Sequence, residues 1–166
     1  MNAWQRLWAP WRAPYITHTS RQPKGCIFCR AKRARDDRAV HVVARGRRVF
    51  CLLNLYPYNN GHLMVSPYRH IGSLHRLTAP EMQEMLGMAA RMTAALTYLF
   101  HPDGFNLGIN VGRIAGAGIP GHMHLHVVPR WQADTNFMSV VSNTKVISQS
   151  LEALYDGLTA TLKTAR

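Results

Sequence analysis

The order of patterning along this chain predicts an α+β fold built on an antiparallel sheet. Three observations carry that expectation. Strand-like stretches at 41–44, 49–54 and 62–66 precede any long helical repeat. One long helical repeat follows, and after it come two more strand-like stretches and a last helix. Finally, residues 122–127 read His-Met-His-Leu-His-Val, an alternation that a strand sorts onto two faces through its two-residue side-chain period.

Each element has a local reason. In residues 7–15, Pro10 and Pro14 stand among Trp8, Trp11 and Tyr15. Proline blocks regular pairing, so this stretch reads as part of an extended arm at 1–25, with the aromatics free to bind the body or a partner subunit. The body, 26–166, completes a single domain. Cys26-Ile-Phe-Cys29 opens it, followed by a short basic helical segment. The stretches 41–44 and 49–54 form a hairpin around Arg45-Gly46-Arg47. A turn at 56–61 holds Pro57 and Asn59-Asn60-Gly61, and the next strand begins at His62. Thr78 and Glu81 have the spacing of a capping box. Behind it Met82, Met85, Leu86, Ala89, Met92, Leu96 and Leu99 recur at helical spacing and are expected in the core. Pro102-Asp103-Gly104 ends that helix, and 105–111 is a strand. A loop with Gly112, Gly116, Gly118 and Gly121 leads to the histidine row, and Leu151, Leu154, Leu158 and Leu162 mark a C-terminal amphipathic helix.

Bulk properties narrow the function. A chain of 166 residues, 47% hydrophobic, is long enough for a real core. No apolar run reaches the ~18 residues that span a bilayer. The first residues lack the apolar stretch of a signal peptide, and three cysteines do not make a secreted disulfide framework. The expectation is a cytoplasmic protein without a membrane segment. The formal net charge of +12 favours anionic ligands, nucleotide polyphosphate or nucleic acid. Much of it falls at Arg30, Lys32, Arg33, Arg35, Arg38, Arg45, Arg47 and Arg48. That run reads as a solvated connection or as a polyanion-attracting surface. It lacks the interleaved aromatics that stack bases, so nucleic acid is not the favoured partner.

The histidine row carries the chemistry. On a strand His122, His124 and His126 share one face, and imidazole near neutral pH serves as nucleophile, proton shuttle or metal ligand. A neutral imidazole can attack a phosphoric anhydride at phosphorus, provided donors flank it to neutralise the non-bridging oxygens. The middle residue, His124, has a histidine on each side. The glycine loop before the row lets backbone amides approach phosphate oxygens. Cys26-x-x-Cys29 has the spacing of half a zinc site; a redox pair or plain structural thiols are the other readings. Cys51 falls inside a strand and reads as core.

The row His122-Met-His124-Leu-His126-Val-Val resembles the signature of the histidine-triad (HIT) family of nucleotide hydrolases and transferases. Asn54-Leu-Tyr-Pro-Tyr-Asn-Asn-Gly-His62 and Gly108-Ile-Asn-Val-Gly112 resemble further parts of that family. Pro129-Arg130-Trp131, Asp134-Thr-Asn-Phe137 and Thr144-Lys-Val-Ile147 resemble a bacterial branch that contains diadenosine-tetraphosphate phosphorylases. The resemblance implies a five-stranded antiparallel sheet with a long helix and a C-terminal helix, in subunits paired as a homodimer across a two-fold. It implies His124 as nucleophile, His126 at the phosphate beside the bridging oxygen, and His122 as the first of the triad. It implies substrate contacts from Asn54, His62 and Asn110, and from the loop at Gly116, Ala117, Gly118 and Ile119. It also implies one structural zinc held by Cys26, Cys29, His70 and His122. Many members carry Gln followed by Ser or Thr in the loop. This chain has Gly118 and Ile119 there, without the hydroxyl, and Arg113 is a charge that could compensate. The expected reaction is cleavage of a nucleotide phosphoanhydride at the α-phosphate through a covalent nucleotidyl-histidine, on diadenosine tetraphosphate or a related dinucleoside polyphosphate, with water or phosphate as acceptor. Alternatives are hydrolysis of nucleoside phosphoramidates or adenylated amines, and non-enzymatic binding of nucleotide or RNA.

Overall fold

A computed structural model describes residues 25–132, 134–135 and 147–164. The arm with Trp8, Trp11 and Tyr15 lies outside the described residues, as do Asn136, Phe137, Thr144, Lys145 and Val146 of the branch motifs. Gly25–Gln132 and Ile147–Arg166 form one compact unit.

The elements run α1 (Ile27–Arg33), β1 (Val42–Arg45), β2 (Val49–Leu53), β3 (Leu63–Pro67), a 3-10 turn (Leu74–Arg76), α2 (Ala79–Phe100), β4 (Gly104–Ile109), β5 (Leu125–Arg130) and α3 (Leu151–Thr164). The five strands make one antiparallel sheet in the order β1-β2-β3-β5-β4. This is the α+β architecture expected from the sequence. Among the described residues, no helix is long and apolar enough to cross a membrane.

The pleat divides the sheet residues between two cores. On one face Cys51, Leu53, Leu63, Val65, Leu125 and Val127 pack with Met85, Met92 and Leu96 of α2 and Leu154 and Leu158 of α3. On the other, Val42, Phe50, Leu52 and Met64 pack with Phe28 and Ala31 of the short helix α1. Burial pushes the Cys51 thiol far up, as suits a core thiol.

Helix α2 begins as the capping box requires. The Thr78 backbone N–H donates to Glu81 Oε2 at 2.9 Å, with Ala79 and Pro80 in the first turn. Glu81 is itself buried, and both its oxygens receive the Arg69 guanidinium at 2.6 Å, which ties the end of β3 to the helix start. The helix stops at Phe100, where His101 adopts φ 46° as a left-handed cap immediately before Pro102.

Two expectations need correction. Met82 and Leu86 do not join the core: they are 41% and 64% exposed. The buried stripe runs through Glu81, Met85, Met88, Met92 and Ala95 instead, about 100° around the helix from the Met82–Leu86 line. The other concerns the histidine row. Its hydrogen-bonded ladder begins only at Leu125, so His122 and His124 precede the strand. Strand β3 ends at Pro67, whose nitrogen carries no proton to donate. The Met123 N–H donates to the Ile71 carbonyl at 2.6 Å, and its carbonyl accepts from Ser66 Oγ at 2.9 Å. Alternation survives without the ladder: Met123, Leu125 and Val127 still face the helical core.

Much of the basic run is neutralised locally. Arg45 pairs with Asp37 at 2.6 Å, Arg48 with Glu84 at 3.7 Å, and Arg38 with Asp156. Arg30, Lys32 and Arg33, in the last turn of α1, stay exposed.

Candidate active site and metal cluster

Strand β5 and the turn before it present His122, His124 and His126 on the face opposite α2, all three buried. His62 joins them from the adjoining start of β3. Gly61 lets the chain turn there at φ 75°, where a Cβ would meet Leu96 Cδ2 at 2.9 Å. The His62 and His126 ring centroids are 5.1 Å apart, and those of His124 and His126 are 4.8 Å apart.

Hydrogen bonds fix the proton on each ring. The backbone N–H of Tyr58 donates to His62 Nδ1 at 3.0 Å, so that nitrogen carries the lone pair and Nε2 the proton. The Asn54 side-chain amide also approaches Nδ1, at 3.2 Å. His62 Nε2–H then donates to His126 Nδ1 at 2.9 Å, which leaves the proton of a neutral His126 on Nε2. His124 is set the opposite way. Its Nδ1–H donates to the His122 carbonyl at 2.9 Å, so its Nε2 carries the lone pair. Burial lowers the His124 pKa, against the opposing pull of that carbonyl, and favours the neutral ring. A nucleophilic nitrogen and a proton-bearing one therefore stand on adjacent rings.

His122 is turned to a different task. Its Nε2–H donates to the Pro67 carbonyl at 2.8 Å, leaving a lone pair on Nδ1. That nitrogen lies 3.2 Å from Cys26 Sγ, 3.7 Å from Cys29 Sγ and 3.2 Å from His70 Nδ1, and Cys29 Sγ lies 3.2 Å from His70 Nδ1. The four ligand atoms all lie within 4.8 Å of one another, a grouping that could hold a metal ion. A tetrahedral ion with bonds of about 2.0–2.3 Å to nitrogen and sulfur has ligand-to-ligand edges of about 3.3–3.8 Å, close to these separations. The donor chemistry fits as well: two soft sulfurs and two imidazoles, one with its free lone pair dictated by a backbone carbonyl. Burial pushes His122 down to about 4, so it enters the cluster neutral. Gly121 leaves room for this arrangement, since a Cβ there would sit 3.2 Å from His70 Nε2. With its ring turned to the cluster, His122 meets His124 through its backbone carbonyl.

The glycine loop is partly closed on itself. The Gly116 amide donates to the Arg113 carbonyl at 2.9 Å and the Ala117 amide to the Gly112 carbonyl at 3.2 Å. Among the described residues the amides of Gly118 and Ile119 enter no such turn, while the Ile119 carbonyl accepts from His122 at 3.1 Å. Asn110 stands beside this loop, its Nδ2 3.7 Å from where a Cβ on Gly116 would lie.

Two residues at this site were not singled out from the sequence. Tyr58 supplies the amide that orients His62, and its ring lies 4.5 Å from His62 and 5.6 Å from His126. Phe28, fully buried, places its ring 5.0 Å from His122 and 4.8 Å from His124. The available signal for Phe28 was its position inside the Cys-x-x-Cys motif.

This geometry defines a site of paired imidazoles beside a cysteine–histidine cluster, and the whole chain resembles known proteins in sequence and fold. The HIT domain family model matches residues 36–133. The chain belongs to the HIT family. It is 40% identical over 154 residues to AP-4-A phosphorylase of Mycobacterium tuberculosis, covering 89% of this chain and 78% of that protein. It is 33% identical over 85 residues to bis(5'-adenosyl)-triphosphatase of Dictyostelium discoideum, covering 51% of this chain and 56% of that one. Among solved structures, a zinc-bound histidine triad family protein from Mycobacterium smegmatis superimposes with a TM-score of 0.68 at 25% identity, covering 85% of this chain and 95% of that one.

Proposed function

We propose that this protein cleaves a nucleotide phosphoanhydride at the α-phosphate through a nucleotidyl group held on His124, with diadenosine tetraphosphate or a related dinucleoside polyphosphate as substrate. One observation carries the reading: His124, with its lone pair on Nε2, and His126, with its proton on Nε2, are adjacent rings 4.8 Å apart between centroids. His124 Nε2 attacks the α-phosphorus and forms a P–N bond while the bridging P–O bond breaks on the far side. His126 Nε2–H hydrogen-bonds the bridging oxygen as negative charge grows on it, and the polyphosphate departs as an anion. Water or inorganic phosphate then attacks the same phosphorus, and the pair in the P–N bond returns to Nε2. From diadenosine tetraphosphate the first step releases ATP. The second yields AMP with water, or ADP with phosphate.

Asn54 and Asn110 fit polar contacts to the nucleotide, and Gly118 and Ile119 offer amides to its phosphates. The relatives support the substrate class, since one is named for AP-4-A and another for a bis(5'-adenosyl) triphosphate. In this reading Cys26, Cys29, His70 and His122 hold one zinc ion. With all four positions filled by protein, the metal supplies folding energy and no reactive position.

The test is product analysis. Purified protein is incubated with diadenosine tetraphosphate, with and without inorganic phosphate. ATP with ADP in the presence of phosphate establishes phosphorolysis, and ATP with AMP establishes hydrolysis. An acid-labile mass increment of one AMP, on wild type and absent from His124→Ala, establishes the intermediate. Symmetrical cleavage to ADP alone in the absence of phosphate, or undiminished turnover by His124→Ala, overturns the reading.

A further inference from the structure

Among the described residues, the bond from His124 Nδ1 to the His122 carbonyl holds the nucleophilic ring at one atom. A single hydrogen bond leaves the ring free to pivot, because the outer torsion of histidine is broad. In-line attack needs Nε2 aimed within a narrow cone. Something else must limit the pivot.

Two neighbours flank the ring. His126 meets it edge-on, at 4.8 Å between centroids and 69° between planes. Phe28 lies at 4.8 Å and 32°, its ring more nearly face to face with the imidazole. Phe28 is itself packed on several sides: fully buried, it touches His122 as well and sits in the smaller core with Phe50, Leu52 and Met64. Its place in the chain explains how it arrives. It stands between Cys26 and Cys29 in the first turn of α1, where the Arg30 amide closes the turn on the Cys26 carbonyl at 3.1 Å. Both cysteines are tied to His122, so the segment that carries Phe28 is fastened to the segment that carries His124.

We propose that Phe28 is a positioning residue for the nucleophile: its ring face stops the His124 imidazole from swinging away from the in-line direction. The Cys-x-x-Cys turn then has a purpose beyond local stability, because it delivers that ring. The proposal rests on the reading of His124 as nucleophile.

The experiment compares Phe28→Leu with Phe50→Leu in the metal-replete protein. Both remove an aromatic ring from the same core, but Phe50 stacks on Tyr68 at 5.1 Å and, among the described residues, its ring meets none of His122, His124 and His126. Steady-state kinetics with diadenosine tetraphosphate, bound zinc, and NMR of labelled histidines are read on each. For Phe28→Leu, kcat is expected to fall about 10–100-fold with KM changed by less than about threefold, consistent with loss of alignment. Zinc content stays at the wild-type level. The His122 and His124 ring resonances lose the ring-current shift of Phe28, and His124 broadens. Phe50→Leu lowers the melting temperature similarly and keeps kcat within about twofold. If Phe28→Leu fails to fold, Phe28→Met, closer in volume, carries the same expectations. Wild-type kcat in a folded Phe28 variant overturns the proposal. So does an equal loss of kcat in Phe50→Leu, which would mark the effect as general packing. A wild type that forms no nucleotidyl adduct overturns the nucleophile reading instead, an outcome separable from the first two.

Discussion

The Nε2 of His62 stands 2.9 Å from Nδ1 of His126, and this bond decides which nitrogen of His126 keeps its proton. Removing the His62 donor lets His126 flip its tautomer and turn a lone pair toward the departing oxygen. His62→Phe is expected to lower kcat on diadenosine tetraphosphate by about 10–100-fold, and His126→Ala by about 10²–10⁴-fold, the range for a positioned proton donor. His62→Gln, whose amide N–H can replace Nε2–H, should recover part of the loss. A His62→Phe enzyme at the wild-type rate would remove the relay.

Cys26 and Cys29 lie far from His70 and His122 in sequence, so a metal held by the four cross-links distant parts of the chain. The purified protein should carry about one zinc per chain. Cys26→Ser should lose it, and the melting temperature should fall by on the order of 10 °C, since binding energy at such a site is folding energy and each kcal/mol shifts a domain of this size by about 2–4 °C. Elemental analysis below about a tenth of an equivalent, in protein prepared without chelator, would count against the metal.

The parts readable in advance were those decided locally. The capping box at Thr78 and Glu81 and the facing of Met123, Leu125 and Val127 follow from spacing alone. So does the placement of His124 and His126 on one face. What spacing could not show was decided by distant partners. The Pro67 carbonyl and the Cys26–Cys29 turn engage the ring nitrogens of His122, which shares that face, and Ile71 rather than a strand captures Met123. Phe28 reaches His124 across 96 positions of sequence. Met82 and Leu86 have the right period for the α2 core but the wrong phase, since Met85, Met88 and Met92 already fill it. The arm and the motifs between 136 and 146 lie outside the described residues.

Glu81 makes stability depend on acid. The Arg69 guanidinium, helped by the Thr78 backbone and hydroxyl, holds the Glu81 carboxyl down to about 2 from an ordinary value of 4.5. A carboxyl depressed in the folded state binds fewer protons there than in the unfolded chain. Stability from this group is therefore fully present above about pH 4.5 and is lost as pH falls toward 2. Glu81→Gln keeps the capping contact and removes the titration. Denaturant midpoints from pH 6 to pH 2 should fall more steeply for wild type than for Glu81→Gln. Because protonation of the cysteine–histidine cluster affects both proteins alike, the difference between the curves reports Glu81. Parallel curves would show that Arg69 contributes nothing to the acid sensitivity.

Among the described residues, strand β4 has one side unpaired in the sheet, and Asn106, Leu107 and Gly108 on it are exposed. Leu107 pairs in register with Val127, whose side chain lies in the helical core. Its own side chain thus points to the helix side of the sheet, where it is still 51% exposed. A bare edge strand with an apolar residue invites pairing with another chain. Two copies joined edge to edge about a two-fold would continue the ladder and cover both Leu107 side chains with one self-complementary surface. Light scattering at micromolar concentration is expected to give twice the chain mass of 18.8 kDa. Leu107→Lys places two like charges across that axis and should give a folded protein that sediments at the mass of a single chain. A wild type already monomeric at this concentration, or a Leu107→Lys protein that stays dimeric, would exclude the β4 edge as the contact.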